Sequence, residues 1–124
     1  MTDFKYTNVN PLSLTEEDCV TRAISLASGY SYAEIQDKLY YISELLDCEK
    51  LCVCCYQHLL DNVFCYDRLP CRGMTVGEVA DMYGDCILLV RIEGHLTCVV
   101  YGTIRDLWDC SNSYADIVWL VEWY

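Results

Sequence analysis

The chain has 124 residues, with 19 acidic side chains against 8 basic ones and a net charge of −11. That is enough for one domain with a real core, residues 1–124, and too little for two. So negative a surface repels phosphates and anionic lipid, which argues against direct binding to nucleic acid or to a membrane.

No run approaches the eighteen or so apolar residues of a membrane span. The start, Met1 to Tyr6, lacks the apolar segment of a signal peptide. The expected compartment is therefore the cytoplasm, with thiols reduced. Residues 1–17 read as an irregular lead in which Asn10-Pro11 blocks helix. From about Cys19 to Ser28, Val20, Ala23, Ile24 and Ala27 recur at helical spacing, and Gly29 is a natural stop. Ser31-Tyr32-Ala33-Glu34 is a capping box that opens a second helix toward Leu46. The cysteine-rich stretch from Glu49 to Leu60 reads as a third helix, and Val63 to Tyr66 as a short strand. A loop with Pro70 and Gly73 follows, and then a second capping box, Thr75-Val76-Gly77-Glu78, starts a short helix ending at Gly84.

The remainder reads as strand. Cys86 to Ile92 is a continuous apolar run of the kind covered on both faces. His95 to Val100 and Thr103 to Trp108 form a hairpin around Tyr101-Gly102. Ile117 to Trp123 puts Ile117, Trp119, Val121 and Trp123 on one face. Helices followed by about four antiparallel strands define an α+β domain.

Ten cysteines are many, but their placement is not that of a disulfide framework. Cys86 and Cys98 sit inside apolar strands, where a reduced cysteine acts as a small hydrophobe. In a helical reading Cys48, Cys52 and Cys55 share a face, with His58 at the next step. Four ligands along one helix cannot surround a tetrahedral ion, and Cys65 and Cys71 lack a paired knuckle to complete the shell. Buried helix-face thiols are the simpler account, so neither a metal nor another cofactor is expected.

One pairing stands apart. Cys19 opens a helix, where the N-terminus lowers a thiol pKa, and far downstream His95 follows Gly94 at the start of a strand. A two-residue turn at Tyr101-Gly102 pairs Val100 with Thr103. Asp106 then lies diagonally from His95, roughly 7–8 Å away at the backbone and within side-chain reach. A loop one residue longer puts Asp109 opposite His95 instead. Either acid would hold the imidazole in the tautomer that accepts a thiol proton. Asn10 is the available side-chain donor for an oxyanion, alongside the backbone amide of Cys19. Glu16, Glu17 and Asp18 precede the thiol and oppose its ionisation unless Asp18 turns away to cap the helix.

The ordered set Asn8-x-Asn10-Pro11, Asp18-Cys19-Val20-x-Arg22-Ala23, Thr75-Val76, Gly94-His95-Leu96-Thr97, Gly102-x-Ile104 and Asp106-x-Trp108-Asp109 spans residues 8 to about 123. It resembles a family of small papain-like proteins encoded by bacteriophages and Gram-positive bacteria. The resemblance implies a papain-like fold, its nucleophile heading a central helix packed on an antiparallel sheet. It also implies Cys19, His95 and Asp106 as a cysteine-protease triad, because Asp106 followed by Trp108 is similar to the family's third residue and its tryptophan. The chain departs from the pattern in lacking a glutamine several residues before the cysteine.

The function expected on these grounds is papain-like cysteine hydrolysis, by a peptidase, isopeptidase, amidase, deamidase or acyltransferase acting on a protein or peptide. The rival expectation is a non-catalytic acidic inhibitor or adaptor of phage or mobile-element origin, binding a basic host protein surface. The sequence leaves substrate and oligomeric state open.

Overall fold

A computed structural model describes residues 3–12, 18–49 and 51–123. In chain order its elements are β1 (Asp3–Tyr6), α1 (Cys19–Ser28), α2 (Tyr32–Leu46), α3 (Val53–His58) and a π-helical turn, Leu59–Val63. Then come β2 (Asp67–Leu69), α4 (Val76–Met82), β3 (Cys86–Ile92), β4 (His95–Val100), β5 (Thr103–Asp106) and β6 (Ile117–Trp123). The fold is α+β. Among the described residues no helix is long and apolar enough to cross a membrane.

Local chemistry sets the helix ends. α1 stops where Gly29 takes a left-handed conformation (φ 84°) and its N–H bonds the carbonyl of Ser25. The Ser31–Glu34 box forms at the start of α2, with reciprocal bonds of 3.0 and 3.1 Å. The Thr75–Glu78 box forms at α4.

The strands make one sheet in the order β1-β5-β4-β3-β6-β2. The four expected strands are its centre, and two further strands complete it. β2 pairs antiparallel with β6, and β1 pairs parallel with β5, so the sheet is mixed rather than wholly antiparallel. The lead is thus not irregular throughout. Its four β1 side chains are all exposed, so no burial pattern marked the strand, which is held by backbone pairing alone. Residues 13–17 of the lead lie outside the described residues.

Three other boundaries move. The third helix begins at Val53 rather than Glu49, and its C-terminal end widens into the π turn that takes up Val63. The short strand therefore falls at Asp67–Leu69, after Cys65 turns the chain with φ 57°. β5 ends at Asp106 and not at Trp108, because the Asp106 carboxylate accepts the next amide, that of Leu107, at 2.6 Å. The face shared by Ile117, Trp119 and Val121 breaks before Trp123. There an extra residue opposite Ile87/Leu88 bulges β6, and Trp123 emerges 71% exposed.

Two cores sandwich the sheet. On one face Val20, Ile24, Ile35, Leu39 and Leu59 from the helices pack on Leu89, Leu96, Cys98 and Trp119. On the other, Val76 and Val79 of α4 cover Leu88, Val90, Val99, Ile104 and Val118. The alternation of Leu88 and Leu89 between the cores explains why β3 reads as a continuous apolar run. The central position of α1 follows from Ile24, which is fully buried. Truncation to alanine there removes about 2–5 kcal/mol.

Candidate active site

Cys19 is the first residue of α1, and α1 lies against β4, whose first residue is His95. β4 returns as β5 through Tyr101 (φ 48°) and Gly102 (φ 83°), a two-residue turn with both residues left-handed. Val100 pairs with Thr103 and Cys98 with Arg105, so Asp106 projects beside His95. The far side of β5 is fixed by β1, where Tyr6 pairs with Asp106 and the Thr7 amide bonds the Asp106 carbonyl at 2.9 Å.

These elements bring three side chains into line. His95 Nε2 donates to Asp106 Oδ2 at 2.6 Å, which leaves Nδ1 as the ring nitrogen for the thiol. Cys19 and His95 line the same cleft and lie close enough for each to shift the other's titration. The Trp108 ring lies 5.1 Å from that of His95, centroid to centroid, and shields one side of the imidazole. Asp109, the other acid weighed for the third position, is elsewhere. It is exposed, and its carboxylate accepts the Ser111 amide at 3.0 Å.

The charges of the three groups support one another. Burial alone would push the Cys19 thiol up, yet the hydrogen bond from His95, a backbone bond at Leu96 and the imidazolium charge hold it below its ordinary value. Burial would likewise depress His95, but hydrogen bonds to Asp106 and Cys19 and their negative charges raise it to about 9. Asp106 sits below the carboxylate range despite burial, because His95 bonds it and carries the opposite charge. The charged forms of the three groups therefore favour one another.

The acidic run before the thiol is partly disarmed. Asp18 precedes α1 without capping it through its side chain. Its buried carboxylate instead turns away to pair with the guanidinium of Arg22, one turn along the helix. Tyr32 Oη donates to it at 2.6 Å, and Asn10 Nδ2 at 2.9 Å. Asn10 is thus engaged behind the thiol, its Oδ1 accepting the Leu12 amide at 2.9 Å, because a buried carboxylate is a strong acceptor for its amide. The backbone amide of Cys19, at the start of α1, has no acceptor within the helix and can serve an oxyanion. Glu16 and Glu17 lie outside the described residues.

Cys19 and His95 open onto a cleft of about 650 Å³, walled by Leu51, Val53, Tyr56, Leu107 and Trp108. The wall from residues 51–56 carried no sequence signal as a binding surface, because its role depends on how α3 packs against α2. All ten cysteines are free thiols, and five of them are buried.

No protein-family model, no curated protein and no solved structure matches this chain. Its chemistry therefore has to be read from its own residues.

Among the described residues, two groups of potential metal ligands have their donor atoms within 4.8 Å of one another. His95, Asp106 and Cys110 form one, but there the 2.6 Å hydrogen bond occupies the space an ion would need. Cys48, Cys52 and Cys54 form the other. Its membership differs from the helical reading of Cys48, Cys52, Cys55 and His58. Since α3 starts only at Val53, Cys52 precedes it in extended conformation (φ −76°, ψ 158°) and the face is not formed. Cys55 instead donates to the Leu39 carbonyl in the core, and His58 Nδ1 accepts from Asn62. Cys65 and Cys71 bond the carbonyls of Asn62 and Asp116, outside both groups.

Proposed function

We propose that this chain is a papain-like cysteine hydrolase whose reaction class is acyl transfer from a protein or peptide substrate. The observation that carries the reading is Cys19 and His95 side by side on one cleft, with His95 bonded to Asp106 behind it. A nucleophile at the start of a helix, packed on the strand that bears its base, is the arrangement acyl transfer through a thiol requires.

In the proposed reaction the Cys19 thiolate attacks the acyl carbon, and the carbonyl oxygen becomes an oxyanion facing the Cys19 amide. As the carbon–nitrogen bond breaks, the imidazolium of His95 gives its proton to the leaving amine, and a thioester remains on Cys19. His95, now neutral, takes a proton from water. The resulting attack releases the acid and regenerates the thiolate. Asp106 keeps the imidazole oriented and compensates its charge throughout. The apolar wall suits a hydrophobic side chain of the acyl donor.

The test is labelling with an electrophilic acyl-type activity probe, read by peptide mass spectrometry. Wild type should label at Cys19 ahead of the other cysteines, and Cys19→Ala should not label rapidly anywhere. Slow, uniform labelling of exposed thiols would sink the enzyme reading and leave the acidic adaptor that binds a basic surface.

A further inference from the structure

The thiol groups of Cys48, Cys52 and Cys54 converge although they come from different local structures. Cys48 lies in the bend after α2, where its amide bonds the Ser43 carbonyl at 3.0 Å. Cys52 precedes α3 and Cys54 is in its first turn. All three sulfurs fall within 4.8 Å of one another, and those of Cys52 and Cys54 are 2.8 Å apart. From these positions we infer that Cys48, Cys52 and Cys54 form a three-thiolate site for a soft, thiophilic cation such as Zn²⁺ or Cu(I).

The dimensions fit. An ion with metal–sulfur bonds of about 2.3 Å holds its sulfurs about 3.8–4.0 Å apart. The Cys48 sulfur lies within 4.8 Å of the other two, and the close Cys52–Cys54 pair opens by about 1 Å through side-chain rotation. Cys54 is exposed, so its rotation meets no core atoms and the ion has a path in from solvent. The ligand set is soft and sulfur-only, which selects these cations over Mg²⁺ or Ca²⁺. Each thiol yields its proton to solvent as the ion binds, and the chain's net charge of −11 favours any cation. A disulfide between any two of these thiols would leave the third unused, whereas an ion engages all three and keeps a fourth position open.

The location gives the ion a role. Cys52 and its neighbours Leu51 and Val53 wall the cleft onto which Cys19 opens. The three thiols span the connection from α2 to α3, so a bound ion clips that wall in place without touching Cys19.

The experiment is titration of the reduced, full chain with Co²⁺, Zn²⁺ and Cu(I). Co²⁺ should bind at one equivalent with an intense thiolate-to-metal charge-transfer band, which Zn²⁺ or Cu(I) then removes. Competition with chelators specific for each ion tells which of the two is held more tightly. Cys54→Ser alters an exposed side chain and should weaken binding on the order of tenfold or more. Cys19→Ala and Cys65→Ser should leave binding unchanged. The site is overturned if the reduced chain shows no charge-transfer band. It is equally overturned if binding survives Cys54→Ser and disappears in Cys19→Ala, which would put the ion at the His95 pair.

Discussion

Cys19 and Cys52 line the same cleft with the same functional group, yet the surroundings of Cys19 differ from those of the Cys48–Cys52–Cys54 group. Cys19 has one neighbour of the opposite kind, a base that takes its proton and becomes a positive charge, so the thiol is lowered. Cys48 has neighbours of its own kind, and hydrogen bonding to Cys54, burial and Cys52 raise it to about 12. Cys52, against its own burial, is lowered by the bonds it receives from Cys54, Cys55 and Cys48. A basic partner makes a nucleophile of a thiol, whereas clustered thiols share their protons among themselves and release them together to a cation.

The sharpest way to break this contrast is to remove the base. His95→Ala should slow alkylation of Cys19 at neutral pH on the order of tenfold or more, because the thiolate is the reacting species. Alkylation of Cys54 in the same sample should not change, as site-resolved mass spectrometry would show. Equal slowing at both positions would remove the distinction between them.

Next in size is the buried ion pair behind the thiol. Arg22→Met leaves the Asp18 carboxylate buried without its cation, which should cost about 3–5 kcal/mol of stability in a denaturant titration. The uncompensated charge also lies one residue from Cys19, so its alkylation should shift to higher pH. A variant of wild-type stability would mean that Asp18 takes up a proton instead, and its titration would reveal that.

Asp106→Asn should act more mildly, slowing alkylation severalfold and lowering the pKa of His95 from about 9 toward its ordinary 6.5. NMR titration of the ring carbons would measure that shift. In the wild type the raised histidine contributes stability that is fully present below pH 6.5 and is lost as pH climbs through about 9. Asp106, held low, contributes in the opposite sense: its share is present above the usual carboxylate range and fades as pH falls through its depressed value.

The smallest effect separates the two roles of His95. Above about pH 9 the ring loses the proton needed by the leaving amine, so turnover should fall while alkylation of Cys19 continues. Parallel pH profiles of probe hydrolysis and iodoacetamide labelling would show the divergence, and profiles that fall together would contradict the assignment of His95 as the acid.

The hairpin was legible where covalent neighbours determine geometry. Tyr101-Gly102 reads as a two-residue turn, and that turn alone places Asp106 rather than Asp109 beside His95. The capping boxes at Ser31 and Thr75 and the strands at 86–92 and 95–100 were legible for the same reason. What escaped depends on residues far away in sequence. β1 shows no apolar alternation because its side chains face solvent, and its partner lies near the other end of the chain. Asn10 looked like an oxyanion donor until the fold placed Asp18 and Tyr32 within its reach. The helical grouping of the cysteines failed because α3 starts four residues later than the pattern suggested, which exchanges Cys55 for Cys54.

The pairing of β1 with β5 also bears on when the thiol becomes reactive during synthesis. Cys19 leaves the ribosome long before His95 and Asp106 exist, and the strand that steadies Asp106 is made first but has no partner until residues 103–106 emerge. Throughout that interval the cysteine is an ordinary thiol, mostly protonated at cellular pH. The thiol of the nascent chain therefore keeps its ordinary pKa until residues 95–106 have emerged and folded against it.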